Sequence, residues 1–354
     1  MNALLQHEDL INATDNNNAT ALPTPHQLQT ALSVSPTAFQ SIQQHRQTLQ
    51  RILNRQDSRM MVVVGPCSIH NIGEALTYAD RLRTLADEVQ DRLVLVMRAY
   101  LEKPRTSLGW EGLVNDPYLD GTNQIADGLQ MSRRLMLNIS DMGLPIATEV
   151  LDPMISNYFN DLVSWAAIGA RTAESQIHRK LASSLPAIVG FKNGTDGSIP
   201  TAINAMKSAA ARHSYVGLDA NGQMTVQRSA GNPHTHVVLR GGNDGPNYAE
   251  TDVNQCVQAM QAADFLPNIM VDCSHANSHK RAEKQIEVLN ETARQRRAGN
   301  DALVGVMLES NLAWGNQSLP DIPHNLEYGV SVTDACIDWD TTLEALRGLY
   351  QQLA

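Results

Sequence analysis

The most reactive side chains of this chain stand directly after short apolar runs. Cys67 follows MMVVVGP, His275 follows NIMVDCS, and Glu309 ends LVGVMLE. A thiolate, an imidazole and a carboxylate form a mixed ligand set that suits a divalent transition metal better than Mg²⁺ or Ca²⁺. Asp334, in the stretch SVTDAC, is the natural fourth ligand, although an aspartate in such a loop is more often a turn or helix-cap residue. The residue types therefore predict a metal site.

A second group of side chains is cationic and follows apolar runs in the same way. It comprises Arg98, Arg171, Lys192 and Arg240, joined by Lys103 and Arg105 from the long segment after the second run. Arginine binds phosphate and carboxylate groups with two parallel hydrogen bonds. Six cations close together, in a chain of net charge −10, predict a pocket for more than one anionic group.

A metal beside a polyanion pocket indicates a class of chemistry. The metal would polarise a carbonyl while the cations hold phosphorylated substrates in register. This combination predicts carbon–carbon bond formation or cleavage on substrates that resemble sugar phosphates.

Each of these residues also has an ordinary structural explanation. A single arginine after a strand is usually solvated, and a single cysteine is usually a small buried apolar residue. A functional role is favoured over these structural explanations only if all of the residues converge at one edge of the fold. The metal thiolate also has an alternative source: Cys273 precedes His275 by two residues, so the two would share a face of an extended strand.

The elements that must position these residues are eight short runs rich in Val, Ile, Leu and Ala, separated by helix-patterned segments. The runs are MMVVVGP, RLVLVMRAY, LPIATEV, SWAAIGAR, AIVGFKN, HVVLRGG, NIMVDCSH and LVGVMLES. This α/β alternation predicts a (β/α)₈ TIM barrel rather than an open doubly wound sheet. Because the carboxyl ends of barrel strands converge on one mouth, the reactive residues, with Glu149 after the third run, would share a site.

The catalytic barrel is predicted over residues 57–354, and two segments are additions to its bare (β/α)₈ pattern. Residues 1–56 begin with an Asn-rich polar tract and predict an N-terminal extension with a regulatory or oligomerisation role. Residues 215–228 contain an Asn221-Gly222 turn between alternating residues, which predicts a β-hairpin inserted before the sixth strand.

Composition narrows the function classes. A net charge of −10 and an isoelectric point near 5.5 argue against nucleic acid or an anionic membrane as a partner. The apolar runs are too short to span a bilayer, and the first residues do not form a signal-peptide pattern, so we expect a cytoplasmic protein. Four cysteines in 354 residues are too few for a disulfide scaffold.

Longer strings at the same positions resemble the type I 3-deoxy-D-arabino-heptulosonate 7-phosphate (DAHP) synthases. They are GPCSIH, MRAYLEKPRT, GARTAESQIHR, GFKNGTDGS, LRGG, DCSHANS, ESNL with GNQSL, and YGVSVTDAC. The resemblance runs from about Arg51 to the C-terminus. It implies the first step of the shikimate pathway, in which phosphoenolpyruvate (PEP), erythrose 4-phosphate and water give DAHP and phosphate with the help of one divalent metal ion (Mn, Fe, Co or Zn).

The resemblance also implies roles for individual residues. The metal ligands would be Cys67, His275, Glu309 and Asp334. PEP would be bound by Arg98, Lys103, Arg171, Lys192 and Arg240, with the Ala170 backbone and, through water, Glu149. Erythrose 4-phosphate would contact Arg105 and Thr106. The implied catalytic residues are Lys103, His275 and Cys67, and Lys103 and His275 are alternative proton carriers.

The chain departs from the family pattern at Glu111, where a lysine is usual near the PEP site. The extension and the hairpin resemble the feedback-regulated subgroup, which implies an aromatic amino acid effector, with tyrosine favoured, and a homodimer or homotetramer. An unregulated enzyme with a merely stabilising extension is the alternative. The competing functions are the related 8-phosphate synthase, which uses arabinose 5-phosphate, and a catalytically silent effector-binding barrel.

Overall fold

The structure is a computed structural model that describes residues 20–105, 108–319 and 325–354. The strands are β1 Met60–Gly65, β2 Leu93–Arg98, β3 Ile146–Glu149, β4 Trp165–Ile168, β5 Ile188–Lys192, β6 His213–Leu218, β7 Met224–Ser229, β8 Thr235–Leu239, β9 Ile269–Asp272 and β10 Leu303–Glu309. The α-helices are α1 Pro25–Ala31, α2 Pro36–Leu53, α3 Ile72–Val89, α4 Ile125–Asp141, α5 Gln176–Ala182, α6 Ile199–Ala210, α7 Glu250–Gln261, α8 Gln285–Arg297 and α9 Trp339–Gln352. Two short 3₁₀ helices cover Ile155–Tyr158 and Ala282–Lys284.

Within these ranges, eight parallel strands close into a barrel in the order β1-β10-β9-β8-β5-β4-β3-β2. The predicted TIM barrel is therefore confirmed, and each predicted run contains one barrel strand. Closure pairs the first strand with the last, so that Gly65 lies opposite Glu309 although 244 positions separate them. The carboxyl ends of all eight strands consequently meet at one mouth.

Alternating side chains build the two layers of the barrel core. Met61 and Val63 of β1 point into the barrel interior, where they join the fully buried Trp165 and Met307. Val62 and Val64 point outward into the apolar layer between the strands and the helices. Both faces of each strand are thus covered, which explains why the strands appear in the sequence as continuous apolar runs.

The described part of the extension contributes α1 and α2. On α2, Leu49, Ile52 and Leu53 pack into the interior cluster of the barrel. The buried Arg46 of the same helix donates hydrogen bonds to the backbone carbonyl oxygens of Asn160 and Val163, each at 2.7 Å. The helix is therefore bound to the barrel by apolar packing at one end and by a buried guanidinium in its middle.

The predicted hairpin is confirmed as β6 and β7, which pair in antiparallel fashion with Val216 opposite Val226. Its turn places Gly222 at φ 77°, a left-handed conformation that glycine adopts without strain. The backbone N–H of His26 in α1 donates to the carbonyl oxygen of Ala220 at 2.8 Å, so the extension contacts the hairpin turn.

No helix in the described part of the chain is both long enough and apolar enough to cross a membrane.

Candidate active site

A cavity of about 300 Å³ opens at the carboxyl ends of the barrel strands. Its lining includes Arg98, Tyr100, Lys103, Arg105, Glu149, Ala170, Arg171, Lys192, Arg240, His275 and Asp334. All six cations predicted from the sequence therefore border one cavity. Thr106, the remaining predicted substrate contact, lies outside the described residues.

Three of the four predicted metal ligands converge beside this cavity. Potential ligand atoms of Cys67, Glu309 and Asp334 all lie within 4.8 Å of one another, and the Cys67 thiol lies 3.4 Å from Asp334 Oδ2. Barrel closure brings Cys67 after β1 next to Glu309 at the end of β10. The backbone of Glu309 is fixed by Gln285, whose side-chain oxygen accepts the Glu309 N–H at 2.8 Å.

The fourth predicted ligand, His275, lies outside that group of three but lines a smaller neighbouring cavity together with Glu309 and Asp334. Its Nδ1 is 3.0 Å from Asp272 Oδ2 and 2.7 Å from Ser274 Oγ. A proton on Nδ1 would satisfy the carboxylate and leave Nε2 as the nitrogen able to bind a metal, an arrangement common for metal-binding histidines.

Lys103 balances the negative charge of the cluster. Its Nζ lies 2.9 Å from Cys67 Sγ and 2.7 Å from Asp334 Oδ2. Burial opposes the ammonium charge, but Cys67, Glu309 and Asp334 together raise the pKa of Lys103. Burial alone would raise the pKa of Asp334 as well, yet the adjacent Lys103 holds it below its usual range. A pair of carboxylates this close together requires a nearby cation.

The donor set fits a divalent metal. Burial, together with the Glu309 carboxylate, raises the pKa of the Cys67 thiol to about 11, so a thiolate here needs added positive charge. One sulfur, two carboxylates and an adjacent imidazole nitrogen match the ligand preferences of Mn, Fe, Co and Zn collectively. Cys67, Glu309 and Asp334 would form the core of such a site and His275 would complete it.

Arg98 connects the ligand cluster to the cationic cavity. Its guanidinium donates to Glu309 Oε1 at 2.8 Å and to the Cys67 carbonyl oxygen at 3.0 Å, and it stacks 3.6 Å from the ring centre of Tyr100. Gly65 allows the ends of β1 and β2 to lie close together, because a Cβ at that position would lie 2.7 Å from the Arg98 carbonyl oxygen. A charged arginine that is almost fully buried is thereby held by the same residues that would hold the metal.

The opposite side of the cavity carries Lys192 at the end of β5 and Arg240 after β8. Lys192 Nζ lies 2.9 Å from Asp272 Oδ2, and both side chains are buried. Burial lowers the pKa of Arg240. The negative charge of Asp272 opposes this shift in Arg240, so Asp272 supports both cations, and it lies at hydrogen-bond distance from Lys192.

The sequence reasoning missed Asp272, Tyr100 and Lys280, the last of which is a further cation in the cavity lining. Asp272 ends the apolar run NIMVD, and that position at a strand end was the available signal. Tyr100 lies two residues beyond Arg98 and was indistinguishable from a core aromatic residue.

Cys273 lies away from the ligand atoms, in the apolar layer between the strands and the helices. Glu111 is exposed and is not among the residues that line the cavity; its backbone carbonyl accepts the Lys103 N–H at 2.8 Å.

Comparison with known proteins agrees with this geometry. The sequence model of the DAHP synthetase I family matches residues 34–347. The chain belongs to this family. It is 49% identical over 346 residues to the Tyr-sensitive phospho-2-dehydro-3-deoxyheptonate aldolase of Escherichia coli (strain K12), an alignment that covers 98% of this chain and 97% of the relative.

A tyrosine-inhibited phospho-2-dehydro-3-deoxyheptonate aldolase of Schizosaccharomyces pombe (strain 972 / ATCC 24843) is 46% identical, over 91% of this chain and 87% of the relative. Among solved structures, a phospho-2-dehydro-3-deoxyheptonate aldolase from Francisella tularensis SCHU S4 superimposes with a TM-score of 0.92 at 40% identity, over 95% of this chain and 97% of that chain. The family resemblance in the sequence is therefore confirmed over nearly the whole chain.

Proposed function

We propose that the protein is a 3-deoxy-7-phosphoheptulonate synthase, which condenses PEP with erythrose 4-phosphate and water to give DAHP and inorganic phosphate. The observation that carries the proposal is the junction of a Cys67–Glu309–Asp334 cluster with a cavity bordered by seven cations, the six predicted from the sequence and Lys280. Few reactions need both a transition-metal site and binding groups for two phosphorylated substrates within one barrel mouth.

Cys67, His275, Glu309 and Asp334 would hold one divalent metal ion, Mn, Fe, Co or Zn. When bound, the metal supplies Lewis-acid polarisation of the aldehyde carbonyl. Arg98 would help to position this metal site, because its guanidinium donates to the Glu309 carboxylate and to the Cys67 backbone carbonyl oxygen.

PEP would be bound by Arg98, Lys103, Arg171, Lys192 and Arg240, with the Ala170 backbone and, through water, Glu149. The phosphate of erythrose 4-phosphate would bind at Arg105 and Thr106. By binding both phosphates, these residues would hold C3 of PEP next to the aldehyde carbon in the orientation that bond formation needs.

We assign the proton carrier to Lys103. The Nδ1 proton of His275 would be engaged by Asp272 and its Nε2 would face the metal, whereas Lys103 Nζ borders both the ligand cluster and the cavity. After C3 of PEP attacks, the aldehyde oxygen becomes an alkoxide, and the Lys103 ammonium can donate a proton to it. The attack leaves a cation at C2, to which water adds with loss of one proton to the now neutral Lys103 amine. The C2–O bond to phosphate then breaks, the remaining hydroxyl proton leaves with the phosphate, and C2 becomes the ketone of DAHP.

The test measures phosphate release from PEP in the presence of erythrose 4-phosphate and Mn²⁺, before and after chelation. The proposal expects turnover that stops on chelation and returns with added Mn²⁺. Turnover with arabinose 5-phosphate in place of erythrose 4-phosphate would instead favour the 8-phosphate synthase, and no phosphate release in any condition would favour a silent barrel.

We also propose feedback inhibition by an aromatic amino acid, with tyrosine as the effector, and assembly into a homodimer or homotetramer. Support comes from the tyrosine-sensitive relatives and from the contact between the extension and the hairpin turn. Activity measured with each aromatic amino acid tests this, because an unregulated enzyme would respond to none. A cytoplasmic location accords with the biosynthetic reaction.

A further inference from the structure

The carboxylate of Asp272 serves two groups that belong to different halves of the site. Its Oδ2 lies 2.9 Å from Lys192 Nζ and 3.0 Å from His275 Nδ1. Its Oδ1 accepts the Ser274 hydroxyl at 2.7 Å, and the carboxylate has no exposed surface. A carboxylate oxygen can accept more than one hydrogen bond, so both Oδ2 contacts can be made together.

We propose that Asp272 is a positioning residue shared by the metal half and the PEP half of the active site, and that it makes the binding of one dependent on the other. This inference rests on the proposed function, because it uses His275 as a metal ligand and Lys192 as a PEP contact. Asp272 is fully buried and is not among the residues that line the cavity.

The contact with His275 fixes the imidazole for metal binding. Nδ1 lies 3.0 Å from Asp272 Oδ2 and 2.7 Å from the Ser274 hydroxyl oxygen, and that hydroxyl donates to Asp272 Oδ1. A proton held on Nδ1 by these acceptors leaves the lone pair on Nε2 and makes that nitrogen a stronger ligand. The backbone of His275 has φ 56°, a conformation uncommon for a residue with a side chain.

The contact with Lys192 maintains a buried cation. Lys192 is only 4% exposed, and an ammonium group so buried is costly without a compensating negative charge. Asp272 supplies that charge and holds Nζ at the cavity wall. Loss of the carboxylate would leave the ammonium unpaired and free to move away from the position that meets PEP.

Because both donors use Oδ2, the two halves influence each other. A cation on Nε2 would draw electron density from the imidazole and strengthen the Nδ1–H donor. Oδ2 would then offer less of its charge to Lys192, which stays at the cavity wall beside Asp272 but gains more from contact with the anionic PEP. Binding linkage is reciprocal, so PEP would favour metal binding to the same degree.

The test uses Asp272→Asn, which preserves shape and removes the charge. Dissociation constants for Mn²⁺ are measured by electron paramagnetic resonance of the free ion, and those for PEP by calorimetry, each with and without the other ligand. We expect the Mn²⁺ affinity to fall about 10–100-fold, as for other partners of metal-binding histidines. We expect the PEP affinity to fall at least about tenfold, and the metal-induced gain in PEP affinity to shrink.

Asp161→Asn is the matched control, since Asp161 pairs with the buried Arg133 at 2.7 Å and does not line the cavity. It should leave both dissociation constants unchanged. A folded Asp272→Asn protein that binds either Mn²⁺ or PEP as tightly as the wild type would overturn the inference. A wild-type protein that binds neither ligand would instead refute the proposed function.

Lys192→Met is the second variant, for use if Asp272→Asn does not fold. This variant leaves Asp272 Oδ2 in contact with His275 but not with a lysine. The shared-carboxylate arrangement therefore expects an Mn²⁺ affinity at least about threefold higher in Lys192→Met than in Arg240→Met. Arg240→Met is the comparison because it also removes a cation from the cavity. Equal Mn²⁺ affinities in the two variants would mean that the halves are independent, and the inference would fail.

Discussion

Glu102 provides a pH-dependent prediction that can be worked out from the structure. This glutamate precedes Lys103, is 8% exposed, and lines a largely apolar cavity with Val150 and Phe159. Burial, with repulsion from Asp152 as the next contribution, raises the pKa of Glu102 from 4.5 to about 8. Its carboxyl group is therefore mainly protonated at neutral pH in the folded protein and ionised in the unfolded chain.

The sign of the effect follows from the higher proton affinity of the folded state. The stabilisation linked to Glu102 is fully present below the unfolded pKa of 4.5 and is lost as the pH rises through about 8. Within that window the loss is about 1.4 kcal/mol per pH unit. Between about pH 5 and pH 7.5 the wild type should lose about 3 kcal/mol that the isosteric Glu102→Gln variant keeps.

The assay is denaturant unfolding of the wild type and of Glu102→Gln at several pH values across this window. The difference between their free energies of unfolding should shift steadily in favour of Glu102→Gln as the pH rises. Glu111→Gln, which alters an exposed glutamate of the same loop, should show no such trend. Parallel stability curves for the wild type and Glu102→Gln would refute the reasoning.

Three further substitutions test other parts of the description. Cys67→Ser should weaken Mn²⁺ binding, measured by equilibrium dialysis, at least about tenfold. Cys273→Ser should keep Mn²⁺ binding but lose about 1–3 kcal/mol of unfolding free energy, because it buries a hydroxyl in an apolar layer. The reverse pattern would mean that Cys273, and not Cys67, is the thiolate ligand. Arg46→Met should cost about 2–5 kcal/mol of unfolding free energy, because the backbone carbonyl groups of Asn160, Asp161 and Val163 lose a charged donor. A change below about 0.5 kcal/mol would contradict that account. Glu111→Lys should change the PEP dissociation constant less than about fivefold, since the side chain is exposed and outside the cavity lining; a sharp gain by calorimetry would show that its charge reaches bound PEP.

Local patterns in the sequence were sufficient for the elements of the fold. Strands buried on both faces must be apolar throughout, so each barrel strand appears as a short run that ends in a polar residue. The hairpin was equally visible, because the Asn221-Gly222 turn and its alternating flanks depend only on neighbouring residues. The residues of the cationic cavity followed once all strand ends were assigned to one mouth.

The position of Cys273 relative to His275 was not predictable in this way. Alternation along β9 placed Cys273 and His275 on one face, but the strand ends at Asp272 and His275 takes a left-handed backbone conformation. Period-two geometry therefore no longer applied, and Cys273 lies in the outer apolar layer.

The sequence by itself determined which residue types stand at the strand ends, because hydrophobic periodicity is a local property of the chain. Only the tertiary structure decided which of them interact. Closure of β1 onto β10 brought Cys67 to Glu309, and the sheet order β9-β8-β5 brought Lys192 to Asp272, which has His275 only three residues along the chain. Burial and the energies of charge pairs depend on distances in space, and these distances are set by the closed barrel rather than by spacing along the chain.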